Sequence, residues 1–242
     1  DIFKEHQNAD YLVSWGDFLN AKSLRTMRGH VIVSHLLKNE EASTSDDWRF
    51  YPPLPIHLLS PAYNPVTNRI FNLAYRAKSR LSKKNSLSSF RQANFIWDKI
   101  ILWPKLYGSS GFIEYQFLVP KKNLDRAVEI LDLIKLSGTP VYLFSAKLMS
   151  AGIGTLSYGG KEAFSFLIDT PRTTRALKVF EECDGIVADA GGRVHLAKDS
   201  RLSATGARKI FGKDFDQFRE QKSYFDPNGL FQTSLHKRLE LI

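Results

Sequence analysis

The chain has 242 residues, 43% hydrophobic and 12% aromatic, which is enough apolar material for one or two folded domains at roughly 150 residues each. Its single cysteine, Cys183, excludes an internal disulfide and a multi-cysteine zinc site and makes a reducing cytoplasm the expected compartment. Lysine and arginine total 34 against 25 acidic residues, and this net charge of +9 suits a phosphorylated ligand, a polyanion or an anionic membrane face without choosing among them.

The sequence opens at Asp1 without an initiator methionine or a signal-type segment, which reads as a piece of a longer polypeptide. No window reaches the ~18 uninterrupted apolar residues of a membrane span. In DYLVSWGDF (10–18), Tyr11, Val13 and Trp15 alternate with Leu12 and Ser14, the period of a strand, and HVIVSHLL (30–37) is a second β-branched run. RFYPPLPIHLLSPAYNP (49–65) carries five prolines and predicts an extended connection. Asn64 and Pro65 then open a helix with an apolar face of Ile70, Phe71, Leu73, Ala74 and Tyr75. Its end, RAKSRLSKK (76–84), is the densest basic segment and reads as a solvated helix terminus before a loop.

FIWDKIILWPKLYG (95–108) reads as partly helical, and GFIEYQFLVP (111–120) is the clearest strand. LDRAVEILDLIKLSG (124–138) spaces its apolar residues as an amphipathic helix and stops at Gly138. PVYLFSAKLM (140–149) and AFSFLIDT (163–170) read as strands, and TTRALKVFEECDG (173–185) as a helix. This order predicts an α+β fold, a mostly antiparallel sheet with helices on one face. After residue 198 come three short helical pieces without a strand-forming run, joined at Gly212 and at the Asp226-Pro227-Asn228-Gly229 turn. A boundary near Gly191 therefore separates an α+β unit, 1–190, from a helical tail, 191–242, expected to dock elsewhere.

Familiar active-site signatures are missing. There is no phosphate loop ending in GK[ST], no HExxH, no GxSxG and no GxGxxG, and GIGTLSYGG (152–160) has none of those spacings. The histidines, at 6, 30, 35, 57, 195 and 236, show no ligand spacing, so no metal is expected. Nucleases, P-loop enzymes and zinc hydrolases become unsuitable readings, and nucleic acid is not expected as a partner.

Two segments remain. On a strand, Glu114 and Gln116 share one face while Tyr115 and Phe117 share the other. Such a polar island is either an exposed sheet face or a cavity wall whose amide fixes a polar ligand. In GGRVHLAKDSRLS (191–203), Lys198 follows an apolar run and precedes Asp199, the position of a surface salt bridge or of a site cation.

The stretches DYLVSW (10–15), NRIFNLAYRAK (68–78), WPKLYGSSGFIEYQFLVP (103–120), GGRVHLAKDSR (191–201), FDPNGLF (225–231) and KRLEL (237–241) occur in an order that resembles the C-terminal half of flavoprotein oxidoreductases of the vanillyl-alcohol oxidase type. Within that family the likeness is to the decaprenylphosphoryl-ribose oxidase branch. The resemblance implies a substrate-binding cap, 1–190, and a segment, 191–242, that returns to an FAD-binding domain outside this chain. It implies FAD as cofactor and oxidation of a sugar or polyol alcohol by hydride transfer, with the isolated chain holding FAD weakly or not at all. A sugar or a lipid-linked sugar is the implied substrate, a short-chain reductase the implied partner, and a peripheral membrane contact is implied with them.

By motif position, Lys198 and Gln116 are the implied catalytic residues, and His195 and Lys198 the ones at the flavin. Lys147, Glu114, Ser165, Leu167 and Trp97 line the implied substrate cavity. A fixed cation at Lys198 would stabilise negative charge developing on a reduced flavin. Several positions depart from the family pattern. Glu114 stands where glutamine is usual, Ser165 for asparagine, Leu167 where some members have a reactive cysteine, and His195 for tyrosine. Trp97 and Asp98 fall in a His-Pro-Leu-Asp stretch of which only Asp98 is kept. Glu114 would repel a phosphate, which leaves the substrate open. The alternative reading is a non-enzymatic basic module, lipid- or polyanion-binding, that keeps the cap fold.

Overall fold

Alternating apolar and polar residues become strands wherever a partner can pair with them, and here they close one sheet. The computed structural model describes residues 2–6, 8–37, 59–82, 85–94, 102–159 and 162–241. The strands are β1 (Tyr11–Gly16), β2 (Gly29–Ser34), β3 (Phe112–Pro120), β4 (Leu143–Met149), β5 (Ala163–Pro171) and β6 (Arg193–Val194). They form a six-stranded sheet in the order β2-β1-β4-β5-β3-β6, antiparallel at every pairing. The longer helices are α1 (Pro65–Leu81), α2 (Leu124–Leu136), α3 (Thr174–Asp189), α4 (Ala204–Phe211), α5 (Lys213–Phe225) and α6 (Ser234–Leu239). The α+β class and the antiparallel sheet are those expected from the sequence.

One face of the sheet carries the core. Ile113, Tyr115, Phe117 and Val119 of β3 and Ile168 of β5 are buried with Ala127, Ile130, Leu131 and Ile134 of α2 and with Val179, Phe180, Cys183 and Val187 of α3. Each large side chain so buried stabilises the fold by about 1.5–3 kcal/mol. α2 presents its stripe at helical spacing and ends at Gly138, whose φ of +71° suits glycine. Thr173 caps α3, accepting a hydrogen bond from Ala176 N.

The segment after Gly191 differs from the strandless tail expected for it. β6 lies within it and hydrogen-bonds to β3, pairing Val194 with Phe117 and Arg193 with Leu118. Ala207, Phe211, Phe215, Leu239 and Leu241 join the same core cluster as the sheet. A two-residue strand is too short to leave a period in sequence, and only its long-range pairing identifies it.

α1 is also arranged differently from its pattern. Asn64 caps it, accepting from the backbone of Val66 and Thr67, with Pro65 in the first turn. Its buried residues are Asn68 and Asn72, whereas Ile70 and Phe71 are 61% and 60% exposed. The cause is Asp17, a buried carboxylate that must be supplied with donors: Asn72 Nδ2 reaches it at 3.0 Å and Asn20 Nδ2 at 2.9 Å. Asn72 therefore turns inward, while the amide of the buried Asn68 donates to Asn64 O at 3.0 Å.

Candidate functional site

The second sheet face collects most of the polar residues singled out from the sequence. Pairing sets Glu114 opposite Asp169, Gln116 opposite Leu167 and Leu118 opposite Ser165 between β3 and β5. Between β4 and β5, Lys147 lies opposite Ser165 and Ser145 opposite Leu167. Val13 and Trp15 of β1 continue the row opposite Lys147 and Ser145. Side chains alternate with a period of two, so Glu114, Gln116, Lys147, Ser165 and Leu167 project from one face, away from α2 and α3. Trp97 and Asp98 lie outside the described residues.

His195 and Lys198 reach this face because β6 ends beside β3. His195 N donates to Gln116 O at 2.9 Å, and a tight turn follows in which Lys198 N and Asp199 N both donate to His195 O at 3.0 Å. The turn brings the Lys198 ammonium onto the Glu114 carboxylate, where it forms an ion pair. Glu114, expected to repel anions, is thus balanced by the lysine expected to attract them.

The rest of the AKDSR motif holds this turn in place. The Asp199 carboxylate accepts from the backbone of Arg201 and Leu202, and Arg238 Nη1 donates to it at 2.7 Å. Arg201 forks onto Asp184 at 2.6 and 2.8 Å, and its guanidinium lies 4.8 Å from the Tyr115 ring centroid, over a ring whose hydroxyl also donates to Asp184. A bidentate pair of this kind defines orientation as well as energy. The KRLEL segment near the chain end supplies Arg238 and so reaches the site indirectly.

Across the face, Gln116 Nε2 donates to Ser165 Oγ at 2.9 Å, and the Tyr158 hydroxyl lies 2.7 Å from the same oxygen. The Tyr158 ring sits 4.4 Å from the His195 ring. Burial raises the Tyr158 hydroxyl pKa, opposed by its bonds to Ser165 and Gln116. Burial, reinforced by the nearby Lys198 charge, lowers His195 and keeps its imidazole neutral near pH 7. Lys147 is lowered by burial and by Lys198, with Glu114 opposing.

One residue of this face escaped the sequence reading. Asp169 is 3% exposed, its Oδ1 has no hydrogen-bond partner among the described residues, and it lies directly opposite Glu114. Burial, then repulsion from Glu114, pushes its carboxyl up to about 8, against the opposing pull of Lys198. Its place two residues past Leu167 and four past Ser165 was a usable signal, since strand alternation puts all three on one face. Beyond it, Tyr63 packs on Tyr107 and Tyr142 at 5.0 and 4.9 Å. Among the described residues no cluster of His, Cys, Asp and Glu could hold a metal ion.

Ser165, Leu167, Asp169, His195, Lys198 and Arg238 all come from the last third of the chain, and that third has a recognisable relationship. Residues 164–239 match the D-arabinono-1,4-lactone oxidase family. Across 97% of its length the chain is 26% identical to decaprenylphosphoryl-beta-D-ribose oxidase from Mycolicibacterium smegmatis. A 70-residue stretch, 29% of the chain, is 39% identical to an uncharacterized protein in the mprA 5' region of Streptomyces coelicolor, covering 19% of that protein. The chain spans about half of the ribose oxidase, 52% of its length, and corresponds to its C-terminal half. Glu114, Gln116 and Lys147 lie outside the stretch matching the lactone oxidase family but inside the similarity to the ribose oxidase. No helix among the described residues is long and apolar enough to cross a membrane.

Proposed function

We propose that this chain is the substrate-facing portion of an FAD-dependent oxidoreductase that oxidises a secondary or primary alcohol of a sugar, a polyol or a lipid-linked sugar. The observation that carries the reading is the gathering of Lys198, Glu114, Gln116, Ser165, Lys147 and Asp169 on the sheet face away from α2 and α3. A cation, two carboxylates, an amide and hydroxyls suit a ligand rich in hydroxyl groups. The similarity to a ribose oxidase and the match to a lactone oxidase family support the same class of substrate.

The donor set fits a flavin at its Lys198 end: a lysine fixed in place by Glu114, beside a neutral imidazole. Lys198 and His195 would hold the ring there, and FAD when bound supplies the two-electron acceptor for the hydrogen lost from carbon. The chain's own residues do the rest. Gln116, held by Ser165, orients a substrate hydroxyl, and Lys147 offers a second donor. The hydroxyl proton needs an acceptor, and the ionised form of Asp169, the minor form at pH 7 with its carboxyl held up to about 8, offers one at Oδ1.

The test is stopped-flow flavin reduction in the flavin-loaded protein that contains this chain, at saturating sugar alcohol. Lys198→Ala should slow reduction on the order of a hundredfold, about 3 kcal/mol, with folding largely unchanged. Reduction at the unaltered rate would make Lys198 a surface cation and remove the basis of the assignment.

A further inference from the structure

A second cluster of charge lies at the far, β2 edge of the sheet. The approach to β2 and the C-terminal part of α1 enclose a cavity of about 290 Å³ lined by Arg28, Gly29, His30, Arg76, Ser79 and Arg80. Three arginines thus line one small space. The carboxylate nearest Arg76, that of Asp17, is 3.7 Å away and already accepts hydrogen bonds from Asn20 and Asn72. Arg28 and Arg80 form no ion pair among the described residues. His30 lies with Trp15 and Tyr75 each 5.3 Å away, and its buried Nδ1 has no partner among the described residues.

Asp17 offsets only Arg76, so Arg28 and Arg80 add positive charge without a counterion, and an anion entering the cavity would relieve their repulsion. Guanidinium forks match phosphate oxygens bidentately, and a serine hydroxyl adds a neutral donor. The volume is at the small end of ligand sites and suits a phosphoryl group with little attached to it. The cavity is also distant from Gln116. His30 pairs with Trp15, Trp15 with Ser145, Ser145 with Leu167 and Leu167 with Gln116. Four strand spacings separate them, roughly 19 Å.

We propose that the cleft formed by Arg28, Arg76, Ser79 and Arg80 binds a phosphoryl group, at a site four strands away from Gln116. The outer side of α1 exposes Val66, Ile70, Leu73 and Leu81, so a lipid headgroup is one source of that group and a soluble phosphate ester the other.

The test is an NMR titration of the full chain with inorganic phosphate, controlled with chloride at equal ionic strength. Saturable amide shifts are expected at Arg28, Gly29, His30, Ser79 and Arg80. The double variant Arg28→Gln/Arg80→Gln, which removes no ion pair, should unfold as the unaltered chain does and bind phosphate at least about tenfold more weakly. Pelleting with phosphatidylglycerol vesicles but not with phosphatidylcholine vesicles, lost in the double variant, assigns a lipid headgroup. Phosphate binding without pelleting assigns a soluble ester. No saturable shift up to about 10 mM phosphate together with no pelleting overturns the proposal, as does a double variant that binds undiminished.

Discussion

The two faces of this sheet are made by the same strands and follow different rules. On the face against α2 and α3, Tyr115, Phe117 and Ile168 are at most 1% exposed, and specificity there is a matter of filled volume. On the other face Gln116, Ser165 and Asp169 are buried as well, at 7%, 1% and 3%, yet a charged or polar group must be matched by a partner. Gln116 Nε2 is matched by Ser165 and Glu114 by Lys198, while Gln116 Oε1 and Asp169 Oδ1 are left open among the described residues. Burial is therefore not what separates core from site. The unspent hydrogen-bonding and charge capacity of the second face does so.

Arg201 crosses between the two regions, since its guanidinium lies over the core ring of Tyr115 while its neighbour Asp199 anchors the turn that presents Lys198. Arg201→Ala leaves Asp184 buried without its ion pair and should cost about 3–5 kcal/mol, seen as a lower denaturation midpoint. A midpoint within error of the unaltered chain would mean that the Arg201–Asp184 pair adds nothing net to the fold.

Asp169 sharpens the comparison through pH. Its carboxyl sits at about 8 in the fold against 3.8 for the unperturbed group, so between those values the native state binds the extra proton. Stability should therefore fall as pH rises from about 4 toward 8, by on the order of a few kcal/mol. Asp169→Asn stays neutral throughout and should melt higher than the unaltered chain by a margin that widens from pH 5 to pH 8. Parallel melting curves for the two proteins would show that Asp169 titrates normally.

The smallest effect belongs to Gln116. Gln116→Ala should weaken substrate binding by roughly 1–2 kcal/mol, read as a raised KM with flavin reduction at saturation little changed. A loss confined to the reduction rate would place Gln116 at the reacting atoms instead.

Local order was legible in the residues themselves. The alternation of Glu114 and Gln116 with Tyr115 and Phe117, the stripe of α2, and the Asn64-Pro65 start of α1 each involve neighbours a few positions apart, and periodicity reports such neighbours directly. The ordered motifs also pointed to Lys198 and to the sheet residues around it. Only the tertiary structure set Asp169 opposite Glu114, paired Lys198 with that same glutamate, completed the sheet with β6 and turned Asn72 of α1 inward onto Asp17. Each of these depends on groups tens of residues apart, and burial sets the energy of each. A carboxylate removed from water must find a donor, a cation or a proton, and which one it finds is decided by what the fold brings beside it.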